Sequence, residues 1–278
     1  MEKIKIITDS TADLPKEVYE KYDIEVLPLL INFGEESYLD GVEITPEELF
    51  GRIENENAVP TSSQVTPNRF METYERYLKE GYKILSIHIS SDMSGTYQSA
   101  CIAKNMIESE DIFVIDSQNV TAALGMVVLK SAILKEKGYS AEEIAKEAEN
   151  IKSKVRTSLV FESLDNLVRG GRISKTAGIV GTVLGIKLML EIKDGTMVVT
   201  DKVRGTKKAI KKIIGDLENA ELDNDVPVIL IQVDNAEVTD AIEAHLIEKK
   251  VNYIKSPVGA TVCIHSGRRC CGLVFLNK

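Results

Sequence analysis

The chain has 278 residues, 44% of them hydrophobic and 28% charged, which suits one large or two modest globular domains. A formal net charge of −9 leaves no basic surplus to meet phosphates, so nucleic-acid binding is excluded on charge. No apolar run approaches the roughly 20 residues that would span a bilayer.

With no Trp and only 5% aromatic residues, aliphatic side chains must fill the core. The first residues enter a strand with no signal-peptide pattern, so a cytoplasmic protein is expected. Cys101, Cys263, Cys270 and Cys271 lack metal-type spacing and are expected to be free thiols.

Residues 3–7 read as a short strand that ends in Thr8-Asp9-Ser10-Thr11-Ala12-Asp13-Leu14-Pro15, and Pro15 opens a helix to about Tyr22. A cluster of small polar residues past a strand end marks either a ligand site or a capping turn. Residues 24–33 read as a second apolar strand. Thr45-Pro46-Glu47-Glu48 is a capping box that opens a helix through Ile53. Pro60-Thr61-Ser62-Ser63-Gln64 is a second hydroxyl cluster, and Thr66-Pro67 begins a helix with Phe70, Tyr74 and Tyr77 on its buried face.

Residues 84–89 form a buried strand that runs into Ser90-Ser91-Asp92-Met93-Ser94-Gly95-Thr96-Tyr97-Gln98-Ser99-Ala100 and then a helix. Ser94 at the N-cap, with Gly95 admitting a ligand to the backbone, would make an anion seat; equally, Ser94 would simply cap its own helix. Residues 112–115 are the next strand, with Asp116-Ser117 at its end. Helices follow at about 120–137 and, after a capping box at Ser140, to about Lys154. Strands alternating with helices, each strand ending in Ser, Thr or Asp, predict a parallel sheet with crossover helices and a site at its carboxyl ends.

Beyond 155 the rhythm changes. A strand at 157–161 leads to Leu167-Val168-Arg169-Gly170-Gly171-Arg172-Ile173-Ser174, and Asp194-Gly195 joins strands 187–192 and 196–203 as a hairpin. A basic helix from Lys207, a strand at 227–233, a helix at 237–249 and strands near 252–254 and 272–276 complete the chain. The expected fold class is α/β, with an N-terminal domain at 1–155 and a C-terminal α+β domain at 156–278.

The sequence carries no GxSxG elbow, P-loop, dinucleotide turn, HExxH or EF-hand loop. His88, on a strand, and His245, on a helix face, read as structural. His265, beside Ser266 and Gly267 in a glycine-containing turn, is the histidine suited to orient a ligand by a hydrogen bond. A stand-alone hydrolase or acyltransferase using Ser94 with His265 is the competing reading, although no third triad member is visible.

The motifs Thr8 to Pro15, Pro60 to Gln64, Ser94 to Ala100, Asp116-Ser117, Arg169 to Ile173 and His265-Ser266-Gly267 follow the order seen in the DegV family, and the chain resembles that family over nearly its whole length. The resemblance implies a two-domain fold with a long-chain fatty acid buried between the domains. It also implies a FakB-type role, in which a non-catalytic protein presents the acid to an ATP-binding kinase subunit that makes acyl phosphate for phospholipid synthesis.

Carried over position by position, Thr61 and Ser94 would hydrogen-bond the carboxylate, with Ser62, Gly95 and His265 in the same pocket. Arg172 would serve the kinase surface or product handling, with Arg169 and Lys175 beside it. No cofactor, metal or nucleic acid is implied, and membrane contact would be limited to a transient surface encounter. The glycine-rich stretch 177–185 would be either a tunnel wall or a close helix–sheet contact. One departure stands out: Arg268-Arg269 replaces a Pro-Gly turn of the family, which predicts a less secure seat for His265.

Overall fold

In the computed structural model the described residues are 2–173 and 185–278. Lys175, and the glycine-rich stretch apart from Gly185, lie outside them.

The first half holds β1 (Ile4–Asp9), α1 (Lys16–Tyr22), β2 (Ile24–Leu27), β3 (Leu30–Phe33), β4 (Glu36–Leu39), α2 (Pro46–Glu56), β5 (Thr61–Ser63), α3 (Pro67–Lys79), β6 (Lys83–His88), α4 (Thr96–Ile107), β7 (Ile112–Asp116), α5 (Ala122–Glu136) and α6 (Ala141–Ile151). The strands β2-β1-β6-β7 form a parallel sheet, as the alternation of strands and helices predicts. The apolar run 24–33 is two strands rather than one. It breaks at Pro28-Leu29, where Pro28 has no N–H for a central ladder, and β3 leaves to join the antiparallel sheet β4-β3-β5. Both expected capping boxes form, at Thr45–Glu48 and Ser140–Glu143.

The second half holds β8 (Val155–Phe161), α7 (Asp165–Arg169), β9 (Ile186–Lys193), β10 (Thr196–Arg204), α8 (Thr206–Glu218), β11 (Val228–Val233), α9 (Ala236–Glu248), β12 (Tyr253–Pro257), α10 (Ala260–Ser266) and β13 (Cys270–Leu276). Its sheet runs β10-β9-β8-β13-β11-β12, antiparallel except between β11 and β12. The last strand in sequence is therefore an inner strand of the sheet.

Side-chain alternation sorts the core into layers. Ile7, Ile84 and Ile112 face Phe70, Tyr74, Ala100 and Ala103 of α3 and α4. Ile4, Ile6, Leu85 and Ile87 face α5, whose opposite side meets Leu159, Ile229, Ile231 and Val274 of the second sheet. Val228, Leu230 and Leu273 point the other way, onto α8 and α9. The order is thus helices, sheet, α5 and α6, sheet, helices. Because α5 is covered from both sides, even Lys130 is buried; its ammonium reaches Asp223 at 2.6 Å. Each fully buried Leu, Ile or Val contributes about 1.5–3 kcal/mol, so this shared layer is the main adhesive between the two sheets.

Candidate functional site

The carboxyl ends of β1 and β6 open toward α10 and the β9–β10 hairpin, and between them lies a cavity of about 350 Å³. Both halves of the chain line it. Leu29, Ile89 and Val120 come from the first, and Leu159, Phe161 and Ile231 from the second. A mostly apolar lining with a few convergent polar groups is the usual make-up of a small-molecule site.

Ser62, Ser94, His265 and Arg172 are among those polar groups. Ser62 sits on β5 and His265 near the end of α10; Ser62 Oγ and His265 Nε2 are 2.9 Å apart, joining positions 203 residues apart in sequence. His265 Nδ1 is buried and has no hydrogen-bond partner among the described residues. With its proton on Nε2 the neutral ring donates to Ser62 Oγ and leaves only a lone pair on Nδ1, which is cheaper to bury unpaired than an N–H. The Ser62 hydroxyl proton is then free to point into the cavity. Burial, reinforced by the charges of Arg172 and Arg169, lowers the His265 pKa to about 4, which keeps the ring neutral at pH 7. Arg172 is held by main chain: its Nε and Nη2 donate to Met93 O at 3.1 and 3.0 Å, tying α7's exit to the loop before Ser94.

Several expectations need correction. Thr61 is exposed and absent from the lining, whereas the next residue of β5, Ser62, is half-buried and lines it. Gly95, not Ser94, is the N-cap of α4; Ser94 Oγ instead accepts from Thr96 N at 3.3 Å and lies 3.0 Å from Thr96 Oγ1. Gly95 does line the cavity, but a Cβ there would lie 2.0 Å from Gln64 Oε1, so its smallness admits the Gln64 amide. Arg169 is exposed at the end of α7, bonded to Asn166, and is not part of the lining. His265 belongs to a helix rather than a turn.

The arginine pair after it is held by acidic and aromatic neighbours. Arg269 takes the left-handed conformation (φ 61°) and pairs with Glu162 at 2.5 Å. Arg268 stacks over Phe50 at 4.2 Å and bonds Glu54 at 3.0 Å and Asp234.

The hydrolase arrangement is not assembled in this geometry. Ser94 Oγ lies beside Thr96 and His265 Nε2 beside Ser62, and among the described residues no carboxylate orients His265 Nδ1. Asp9, His88 and Ser86 do form a triad-like row, Asp9 Oδ2 to His88 Nδ1 at 3.0 Å and His88 Nε2 to Ser86 Oγ at 2.6 Å. All three are fully buried, and Tyr74 donates to Ser86 Oγ at 2.7 Å, so the row is a satisfied structural network. His245 lies 3.4 Å from Glu218 and away from the cavity.

Sequence reasoning missed Thr121, Met197, Thr261 and Cys270 in the lining. It flagged the segment containing Thr11, which does reach the cavity. All four cysteines are free, and burial pushes the Cys270 thiol up to about 11.

Fold and site together define a mixed α/β protein in which a parallel sheet with its helices and a second sheet enclose an apolar, hydroxyl-tipped cavity. The chain belongs to the DegV family, described as uncharacterised proteins, whose model matches residues 3–278. A DegV domain-containing protein of Clostridium perfringens is 51% identical over 278 residues, 100% of both chains. Among solved structures, a DegV family protein from Thermus thermophilus described by its fatty-acid binding is 30% identical, with TM-score 0.90 over 99% of this chain and 100% of that one. DegV of Bacillus subtilis, described as a fatty-acid-binding protein, is 31% identical, with TM-score 0.86 over 100% of both chains.

Proposed function

We propose that the protein binds one long-chain fatty acid in this cavity and presents it, without chemistry of its own, to an ATP-dependent kinase subunit that forms acyl phosphate for phospholipid synthesis. The observation that carries the binding step is the Ser62–His265 pair at 2.9 Å, set at the rim of an apolar cavity of about 350 Å³. A buried carboxylate needs donors, and the hydroxyls of Ser62 and Ser94 supply them, with the neutral imidazole orienting the first. Ser62 takes the place expected of Thr61. The alkyl chain lies along Leu159, Phe161, Ile231 and Val258, where roughly 0.8 kcal/mol per buried methylene gives a long chain on the order of 10 kcal/mol.

In this reading residues 1–155 and 156–278 are two domains closing on the ligand. The fatty-acid descriptions of the Thermus and Bacillus relatives support the ligand class. The hand-over to a kinase rests on the FakB-type resemblance, which assigns Arg172 and Arg169 to the partner surface or to product handling. Mass spectrometry of an organic extract of the purified protein tests binding: a stoichiometric fatty acid is expected. An empty extract, with no uptake of added acid, would refute it. Acyl phosphate formation with a FakB-type kinase subunit and ATP tests the second step.

A further inference from the structure

α10 carries His265, and its beginning is gripped by two carboxylates from the other half of the chain. Gly259 N donates to Asp13 Oδ1 at 2.8 Å, and Ala260 N donates to Asp40 Oδ1 at 3.0 Å, contacts that bridge 246 and 220 residues of sequence. Both acids are themselves fixed. Thr121 Oγ1 donates to Asp13 Oδ2 at 2.6 Å, and Ser10 Oγ donates to Asp40 Oδ2 at 2.7 Å. Asp13 is held in the left-handed region (φ 47°), and Thr121 in a still rarer conformation (φ 53°, ψ −149°), so the backbone accepts strain on both sides of the contact.

We propose that Asp13 and Asp40 are positioning residues for His265: a two-carboxylate cap that sets the register of α10 so that the imidazole meets Ser62 at the cavity. At about 1.5 Å of rise per residue, His265 stands only about 8 Å along the axis from Ala260, so a displaced helix start moves the ring with it. The other end is bounded as well. A Cβ on Gly170 would lie 2.4 Å from His265 Nδ1, which makes Gly170 the back wall of the ring. A single Ser or Asn would suffice to cap a seven-residue helix. Two acids, only 4% and 3% exposed, incur a desolvation cost that a cap alone does not require. The consequence for ligand binding rests on the fatty-acid reading of the site; the positioning does not.

The test uses the full chain and the ¹⁵N resonances of His265, which stand among only three histidines. In the wild type the ring should be the Nε2–H tautomer and titrate near 4. Asp40→Ala should move that titration toward the ordinary 6.5 and remove the signature of the Ser62 bond, with fatty-acid affinity falling about tenfold. Asp40→Asn, which can still accept from Ala260 N, should restore both. Where Asp40→Ala does not fold, Gly259→Ala is read the same way, since its Cβ would lie 2.9 Å from Asp13 Oδ1. An unchanged His265 titration in a folded variant whose melting temperature alone falls would overturn the proposal. A displaced ring with wild-type fatty-acid affinity would uphold the positioning and refute instead the role of His265 in binding.

Discussion

Among single residues, Ser62 is the one whose removal is expected to be felt most directly. Ser62→Ala deletes a donor to the ligand and leaves His265 Nε2–H unpaired; a charged-group hydrogen bond is worth about 1.5–3 kcal/mol, so the fatty-acid Kd should rise about 10- to 100-fold, measured by calorimetry on delipidated protein. Thr61→Ala, on the outward face of the same strand, should change it little. His265 also gives the stability a definite pH dependence. Its folded pKa, about 4, lies below the unfolded 6.5, so the unfolded state takes up the proton first. Stability from this group is complete above 6.5 and is lost as pH falls through the window down to 4, about 3 kcal/mol in all. Asp13 and Asp40, raised by burial, act with the opposite sign, holding protons in the folded state that the unfolded chain has released. Comparing the wild type with His265→Asn isolates the histidine: between pH 7.5 and 5 the wild type should lose roughly 2 kcal/mol more in urea titrations. Equal losses would show that the ring is not held neutral by its site.

For the elements, the β9–β10 hairpin is the contact most open to a single substitution. Its tip reaches the loop before α4, where Ser90 Oγ donates to Gly195 O at 2.8 Å, and Met197 beyond it lines the cavity. Gly195 has φ +80°, and a Cβ there would lie 2.7 Å from Ser90 Oγ and 2.8 Å from Asp92 Oδ2. Gly195→Ala should therefore cost about 1–2 kcal/mol and speed exchange of a fluorescent fatty acid, read by stopped flow. An unaltered exchange rate in a destabilised variant would mean that the hairpin does not guard the cavity. This hairpin was legible from Asp194-Gly195 between apolar strands, as were the helices announced by Thr45, Thr66 and Ser140, because turn and cap chemistry is local. α10 was not: seven residues that include Thr261, Val262 and Ile264, lying between Gly259 and Gly267, carry too little helical signal. Nor was the break at Pro28, since an apolar run hides a change of sheet. Ser62 and His265 were legible as candidates through the order of the family's motifs. Which of Thr61 and Ser62 faces inward depends on β5 pairing with β3, and the Asp40 contact to α10 spans 220 residues, so neither is written locally.

At the scale of the whole molecule, the two halves meet through α5, through α10 and around the cavity, so occupancy should be felt globally. Fatty acid supplied at about a hundred times its Kd should raise unfolding stability by about 2.7 kcal/mol, and extraction should reverse it, as differential scanning calorimetry of matched samples would show. A melting temperature indifferent to fatty acid would place the ligand elsewhere or nowhere. The strand order has a consequence in time rather than in space. β13 is made after every other strand, yet β8 and β11 pair through it and not with each other. While a ribosome is still adding residues 270–276, the second sheet is two unjoined pieces, and the wall of the cavity that contains Ile231 and Cys271 is unbuilt. The first half can pair its own parallel strands early, but the pocket is finished only once β13 has been made. A nascent chain stalled before Cys270 should accordingly resist protease in the first sheet and be cut in the second.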